Sequence, residues 1–121
     1  MKEYIDDASP YASATAATAD RTTILTHELK NGKRPFLLAF RNSISAGGET
    51  YCAFSLLLNG VPLEDFDRVF NQVAAPEDQQ GNMLRRRELP QGATLSVVVD
   101  NSDAANTYVA TAKVEVAYES L

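Results

Sequence analysis

Few residues in this chain are able to do chemistry, and their spacing gathers none of them into a catalytic or metal-binding set. Cys52 is the one cysteine and His27 the one histidine, so neither an internal disulfide nor a multi-cysteine zinc site can be built. Cys52 lies between Tyr51 and Ala53 in an apolar run, where a thiol behaves as a small core residue. His27 sits in the alternating segment ILTHEL with no nucleophile motif beside it, which makes it structural and not a general base. Glu64, Asp65 and Asp67 cluster as carboxylate pairs in hydrolases do, but no neighbour would desolvate one of them and raise its pKa. They read as a solvated face. The run Asp100, Asn101, Ser102, Asp103 offers oxygen ligands for calcium without the spacing of a calcium loop. Gly47-Gly48 lacks the lysine, the further glycines and the following helix of a phosphate loop. The expectation is a protein that is not an enzyme, with no catalytic residues, cofactor or metal.

Arg85, Arg86 and Arg87 form the notable cationic group. On a strand, Arg86 faces away from Arg85 and Arg87, so at least one of them must reach an edge, a buried acid or another chain. Two readings stay open: a solvated edge strand protected by charge, or a contact with an acidic partner surface. Nucleic acid is not expected, because eleven Lys and Arg stand against sixteen Asp and Glu, a formal charge of −5. No run approaches the ~20 apolar residues of a membrane helix, and the start MKEYIDDASP lacks the apolar stretch of a secretory signal. A soluble protein made without export is expected, with no membrane partner.

The elements that hold these residues are strands. Tyr108, Ala110, Ala112, Val114, Val116 and Tyr118 alternate with Thr111, Lys113, Glu115 and Glu119, the period of a strand with one buried face. TLSVVVDN alternates likewise and is β-branched. The polar turn NSDAAN between the two predicts an antiparallel hairpin. ILTHEL, the Asn31-Gly32 turn and PFLLAFRNS read as strand, turn, strand, and TYCAFSLLL ends at a second Asn-Gly, Asn59-Gly60. Phe54–Leu58 has only Ser55 as a polar residue, so a second apolar face needs a cover, and a homo-oligomer is expected. Leu63, Phe66, Phe70 and Val73 recur at helical spacing after Pro62, which predicts a short helix. MLRRREL and the Pro90-Gln91-Gly92 turn follow. The class is all-β: six to eight short antiparallel strands with at most one short helix, the profile of a β-sandwich or a closed barrel.

Residues 1–22 differ, being rich in Ala, Ser and Thr, and are read as a flexible N-terminal arm ahead of a β-sandwich domain at 23–121. The arm is either a frayed end or a strap that orders on a neighbour, with Tyr4, Ile5 and Tyr11 as its apolar anchors. As a strap it works between chains, so its removal is expected to leave the melting temperature of the domain nearly unchanged.

The run PFLLAFRNSISAGGETYCAFSLLLNGVPLEDF, then LPQGATLSVVVDN, then YVATAKVEVAYE resembles the small jelly-roll-like structural proteins of tailed-bacteriophage virions, above all capsid decoration or cement proteins. The likeness spans residues 23–119. It implies a non-enzymatic virion component, assembled in the host cytoplasm and often trimeric, that binds capsid or other virion proteins and strengthens the shell. A receptor- or glycan-binding β-sandwich domain of a phage tail or fibre is the alternative.

Overall fold

The computed structural model describes residues 4–70 and 87–121. Their alternating patterns become the strands β1 Tyr4–Ala8, β2 Tyr11–Ala16, β3 Asp20–Glu28, β4 Lys33–Ile44, β5 Cys52–Leu58, β6 Val61–Pro62, β7 Val69–Phe70, β8 Arg87–Glu88, β9 Thr94–Asn101 and β10 Tyr108–Ser120. One turn of 3-10 helix, Glu64–Phe66, precedes β7. In the first sheet β10 lies between β4 and an edge made of β1 and β2, with β8 beyond β4. In the second, β9 lies between β3 and β5, with β6 and β7 both paired to β5. All of these pairs are antiparallel.

β1 and β2 act as one strand. Ala8 lies opposite Val116 and Tyr11 opposite Lys113, so the register against β10 carries straight through Ser9 and Pro10. Pro10 has no N–H to donate, but on an edge none is needed, and its carbonyl accepts from the Val114 N–H at 3.0 Å. With β1–β2 and β6–β7 each taken as one strand, the described residues form eight, and the first pairs with the eighth, the second with the seventh, the third with the sixth and the fourth with the fifth. That nested order is the jelly roll, a long hairpin rolled into two layers. Its tip is the tight β5–β6 turn, where Asn59 and Gly60 take φ of 51° and 84°, the two positive angles a two-residue hairpin requires.

The inward faces fill the sandwich. Phe40, Val114, Val116 and Tyr118 from the first sheet meet Phe54, Leu56, Leu95, Val97 and Val99 from the second. The ring of Tyr118 is buried, and its hydroxyl is satisfied at the rim of the core by the Lys30 N–H at 3.2 Å. Two bulges adjust the layers: Leu38 is the extra residue between the Ala39–Glu115 and Leu37–Val116 pairs, and Ile24 the extra one between Thr23–Val98 and Leu25–Val97. Such bulges sharpen the twist that lets two sheets wrap one core.

Four sequence readings need revision. The alternating segments flanking NSDAAN are strands but not a hairpin: β9 and β10 lie in different sheets, and residues 102–107 cross between them. The helix expected from Leu63 is a single 3-10 turn. Phe66 is buried edge-on against Phe40, with centroids 5.4 Å apart, but Arg68 at φ 60° turns the chain back into β7. Val73 lies outside the described residues. Residues 4–16 are not a free arm but the edge of the first sheet. The signal was missed because the inward positions are alanines, Ala12, Ala14 and the fully buried Ala16, too small to mark an apolar face. Lastly, the second face of β5 is covered within the single chain, with Ala53, Ser55 and Leu57 exposed by 2%, 0% and 8%. The cover expected for β5 is therefore present in the chain itself, and β5 gives no argument for or against a second subunit.

The β1–β2 edge lends itself to a direct test. Removing residues 1–16 strips β10 of one hydrogen-bonded neighbour and uncovers the core beside Ala110 and Ala112. The melting temperature should fall by about 10 °C or more, since ~1 kcal/mol already moves a domain of this size by several degrees. An unchanged melting curve would return these residues to the role of an arm.

Candidate functional site

The residues read as partner contacts do not converge. Tyr4, Ile5 and Tyr11 lie on the β1–β2 edge of the first sheet, and Tyr11 is 54% exposed. Arg87 lies on the opposite edge, in β8, paired with Leu37, whereas Arg85 and Arg86 lie outside the described residues. The best-defined cation of this sheet is Arg34. It grips Glu88 with two hydrogen bonds, Nε at 3.1 Å and Nη2 at 2.8 Å, lies over the Phe36 ring, and brings Nη1 within 3.9 Å of the buried Glu119.

Chemical groups gather instead at one end of the sandwich, where the β2–β3, β4–β5 and β9–β10 connections meet. Asp103 organises it. Its carboxylate accepts from the Ala105 N–H at 2.8 Å, the Asn106 N–H at 3.3 Å, the Asn106 Nδ2 at 3.1 Å and the Tyr108 hydroxyl at 2.5 Å. Asn101, at the inward end of β9, accepts from the Asp103 N–H and donates to the Asn106 and Ala16 carbonyls. The loop that could have ligated calcium is thus closed on itself, its carboxylate oxygens committed to protein donors. Among the described residues no group of His, Cys, Asp and Glu could hold a metal ion.

These bonds set the ionisation of the loop. The Tyr108 hydroxyl above all, with the two N–H groups and the Asn106 amide, holds the Asp103 carboxyl at about 2. The same bond, with burial and the carboxylate's charge, pushes Tyr108 up to about 12. Cys52 is fully buried in the core. Burial first, and then the charge of Asp103, pushes its thiol up, away from the reactive thiolate. Burial and Lys30 together push His27 down at the far end.

Tyr108 is also a platform. Its ring stacks on Tyr51 with centroids 6.1 Å apart and an interplanar angle of 13°, leaving Tyr51 41% exposed. Gly48 lies beneath: a Cβ there would stand 2.7 Å from Ile44 Cγ1 and 2.8 Å from Tyr108 Cγ. Next to Tyr51, on the outward face of the second sheet, an open cleft of about 380 Å³ is lined by Arg21, Ala53, Arg68, Asp100 and Ser102 among others. Arg21 and Asp100 are cross-strand partners joined by a forked pair, Nε–Oδ1 2.7 Å and Nη2–Oδ2 2.9 Å. Arg68 Nη1 stands 3.8 Å from Asp100 on the other side. The hydrogen bond to Arg21 first, and the charges of both arginines, hold Asp100 below the usual carboxylate range. Comparison with protein-family models, curated proteins and solved structures finds no match. The site is therefore read from its own chemistry: mixed charge, one exposed ring, and no nucleophile beside a base among the described residues.

Sequence reasoning missed this site because its parts lie at positions 21, 51, 53, 68 and 100 of the chain. Its one visible trace was the polar run Asp100–Asp103, whose oxygens are used for hydrogen bonding and ion pairing.

Two variants probe the loop. Gly48→Ala forces a methyl into the Ile44–Tyr108 contact and should lower stability in urea unfolding by about 1–3 kcal/mol, the usual effect of overpacking. Asp103→Asn removes a group whose folded pKa lies below its ordinary 3.8. The stabilisation is complete above that value and is lost as pH falls through about 2. The melting-temperature gap between native protein and Asp103→Asn should therefore be steady near neutrality and close as pH drops from 3.8 toward 2. A gap independent of pH would remove the carboxylate from that role.

Proposed function

We infer that this chain is a non-enzymatic structural protein of a bacteriophage virion, a capsid decoration or cement protein that binds and stabilises the shell as a homo-oligomer, with a trimer favoured. The nested eight-strand order of the two sheets carries this reading, since jelly rolls are a recurrent architecture of viral shells. The step from fold to function is one of analogy. Two further features support it. The Asp103 carboxylate at the loop end is committed to holding the crossing loop together through four donors. Tyr11 and Val109, 54% and 52% exposed, stand on the outward face of the first sheet, where a neighbouring subunit or capsid protein would cover them.

The test is cosedimentation of the purified protein with shells assembled from the major capsid protein of the phage that carries its gene. Stoichiometric binding, lost in a Tyr11→Lys, Val109→Lys double variant that still folds, is the expected result. Absence of the protein from the shell pellet at ~10 μM, well above the ~1 μM Kd of a weak specific complex, would sink the capsid assignment.

A further inference from the structure

The cleft beside Tyr51 opens on the outward face of the second sheet, and its composition points to a ligand. It lies where β3, β9, β5 and β7 run side by side. Arg21 and Asp100 rise on one flank, Arg68 on the other, and between them Ala53 contributes only a methyl. Its volume of about 380 Å³ falls within the ~300–1,000 Å³ of small-molecule sites. Backbone strain marks the same place. Three described residues other than glycine have positive φ, and two of them, Ala19 at 52° and Arg68 at 60°, line this cleft. Such an angle is unfavourable for an L-residue, and strain of this kind collects at binding sites.

We propose that this cleft binds a neutral saccharide of one or two rings, packed against Tyr51 and held through vicinal hydroxyls by Arg21, Asp100 and Arg68. The charge balance selects the class. Arg21 and Arg68 face Asp20 and Asp100 in the lining, and Asp67 adds its field at Arg21, so two cations meet three carboxylates and an anionic ligand gains nothing. An apolar ligand would take water from these charged groups and offer no hydrogen bond in return. A polyol suits them, because guanidinium and carboxylate are planar forks that engage adjacent hydroxyls in pairs. The Arg21–Asp100 pair is already fixed at 2.7 and 2.9 Å, so little ordering remains to be done on binding. Tyr51 supplies the flat surface for the C–H face of a sugar ring, and its stack on Tyr108 holds it in place. The site lies on this chain alone, so it holds whether or not the chain decorates a capsid.

The experiment is titration of isotope-labelled protein by two-dimensional NMR with lactose, maltose, cellobiose and chitobiose, with sodium glucuronate and inorganic phosphate as anionic probes. At least one neutral disaccharide should shift the amides of Arg21, Tyr51, Arg68 and Ser102 with a Kd of about 1 mM, as a small ligand in an open cleft gives. Two variants should weaken that binding about tenfold or more, the size of effect a central contact carries. One is Tyr51→Ala. The other is Arg68→Gly, which removes the guanidinium while relaxing the positive φ, so that folding is retained. Absence of shifts with all four disaccharides overturns the proposal. So does binding of glucuronate or phosphate in preference to them, or saccharide binding that both variants leave intact.

Discussion

The ladder around β10 is the constraint on which most else rests. This strand is hydrogen-bonded along its length on both sides, to β4 and to the β1–β2 edge, while its inward residues Ala110 to Tyr118 form a wall of the core. Its first residue, Tyr108, is fixed opposite Ala16 and from there reaches Asp103, Tyr51 and the space above Gly48. The central strand of one sheet therefore also sets the loops at the end of the sandwich. A shift of β10 by one residue would turn Tyr108 to the outward face and disperse the loop contacts together with the core.

The two ends of the sandwich are finished differently. At one, the turns are tied to each other: Leu29 donates to the Ala93 carbonyl, Gly32 to the Gln91 side chain, and Asn59 and Thr94 exchange two hydrogen bonds. That end is a closed seam. At the other, Asp103 and Asn101 hold the crossing loop firmly, and beside it the outward face of the second sheet is left hollow, with its charged groups already paired. Rigid sheets with a shaped, polar end are the usual way a sandwich carries recognition without moving parts.

Much of the fold was legible in the sequence, because strong alternation at Thr94–Asn101 and Tyr108–Ser120, the apolar run of β5 and the Asn59-Gly60 turn each have one physical reading. Partner choice was not. A polar connection of six residues serves a hairpin and a crossing between sheets equally well, and only the demand that both apolar faces meet decides for the crossing. Alanine hid β2, since Ala12, Ala14 and Ala16 bury little yet fit a tight edge. At Leu63–Phe66 the apolar spacing did mark inward residues, but one 3-10 turn satisfies it as well as a helix. The cleft was illegible for a plainer reason: Arg21 and Asp100, Tyr51 and Arg68 become neighbours only through pairings between distant strands.

The nested strand order also sets a timetable for synthesis. β1 and β2 leave the ribosome before the other described strands, and their only hydrogen-bonded partner among the described residues, β10, follows after the rest. At the usual ~5–20 residues per second, the interval is on the order of ten seconds. During it the nascent segment holds an unsatisfied strand edge with Asp6 and Asp7 in its first part and small alanine, serine and threonine residues from Ala12 to Ala16, and Pro10 stands between them. A weakly hydrophobic, proline-interrupted strand is a poor template for stray pairing. The small residues that made this segment look like a tether therefore also let it wait unpaired without aggregating, until the ladder that needs it arrives.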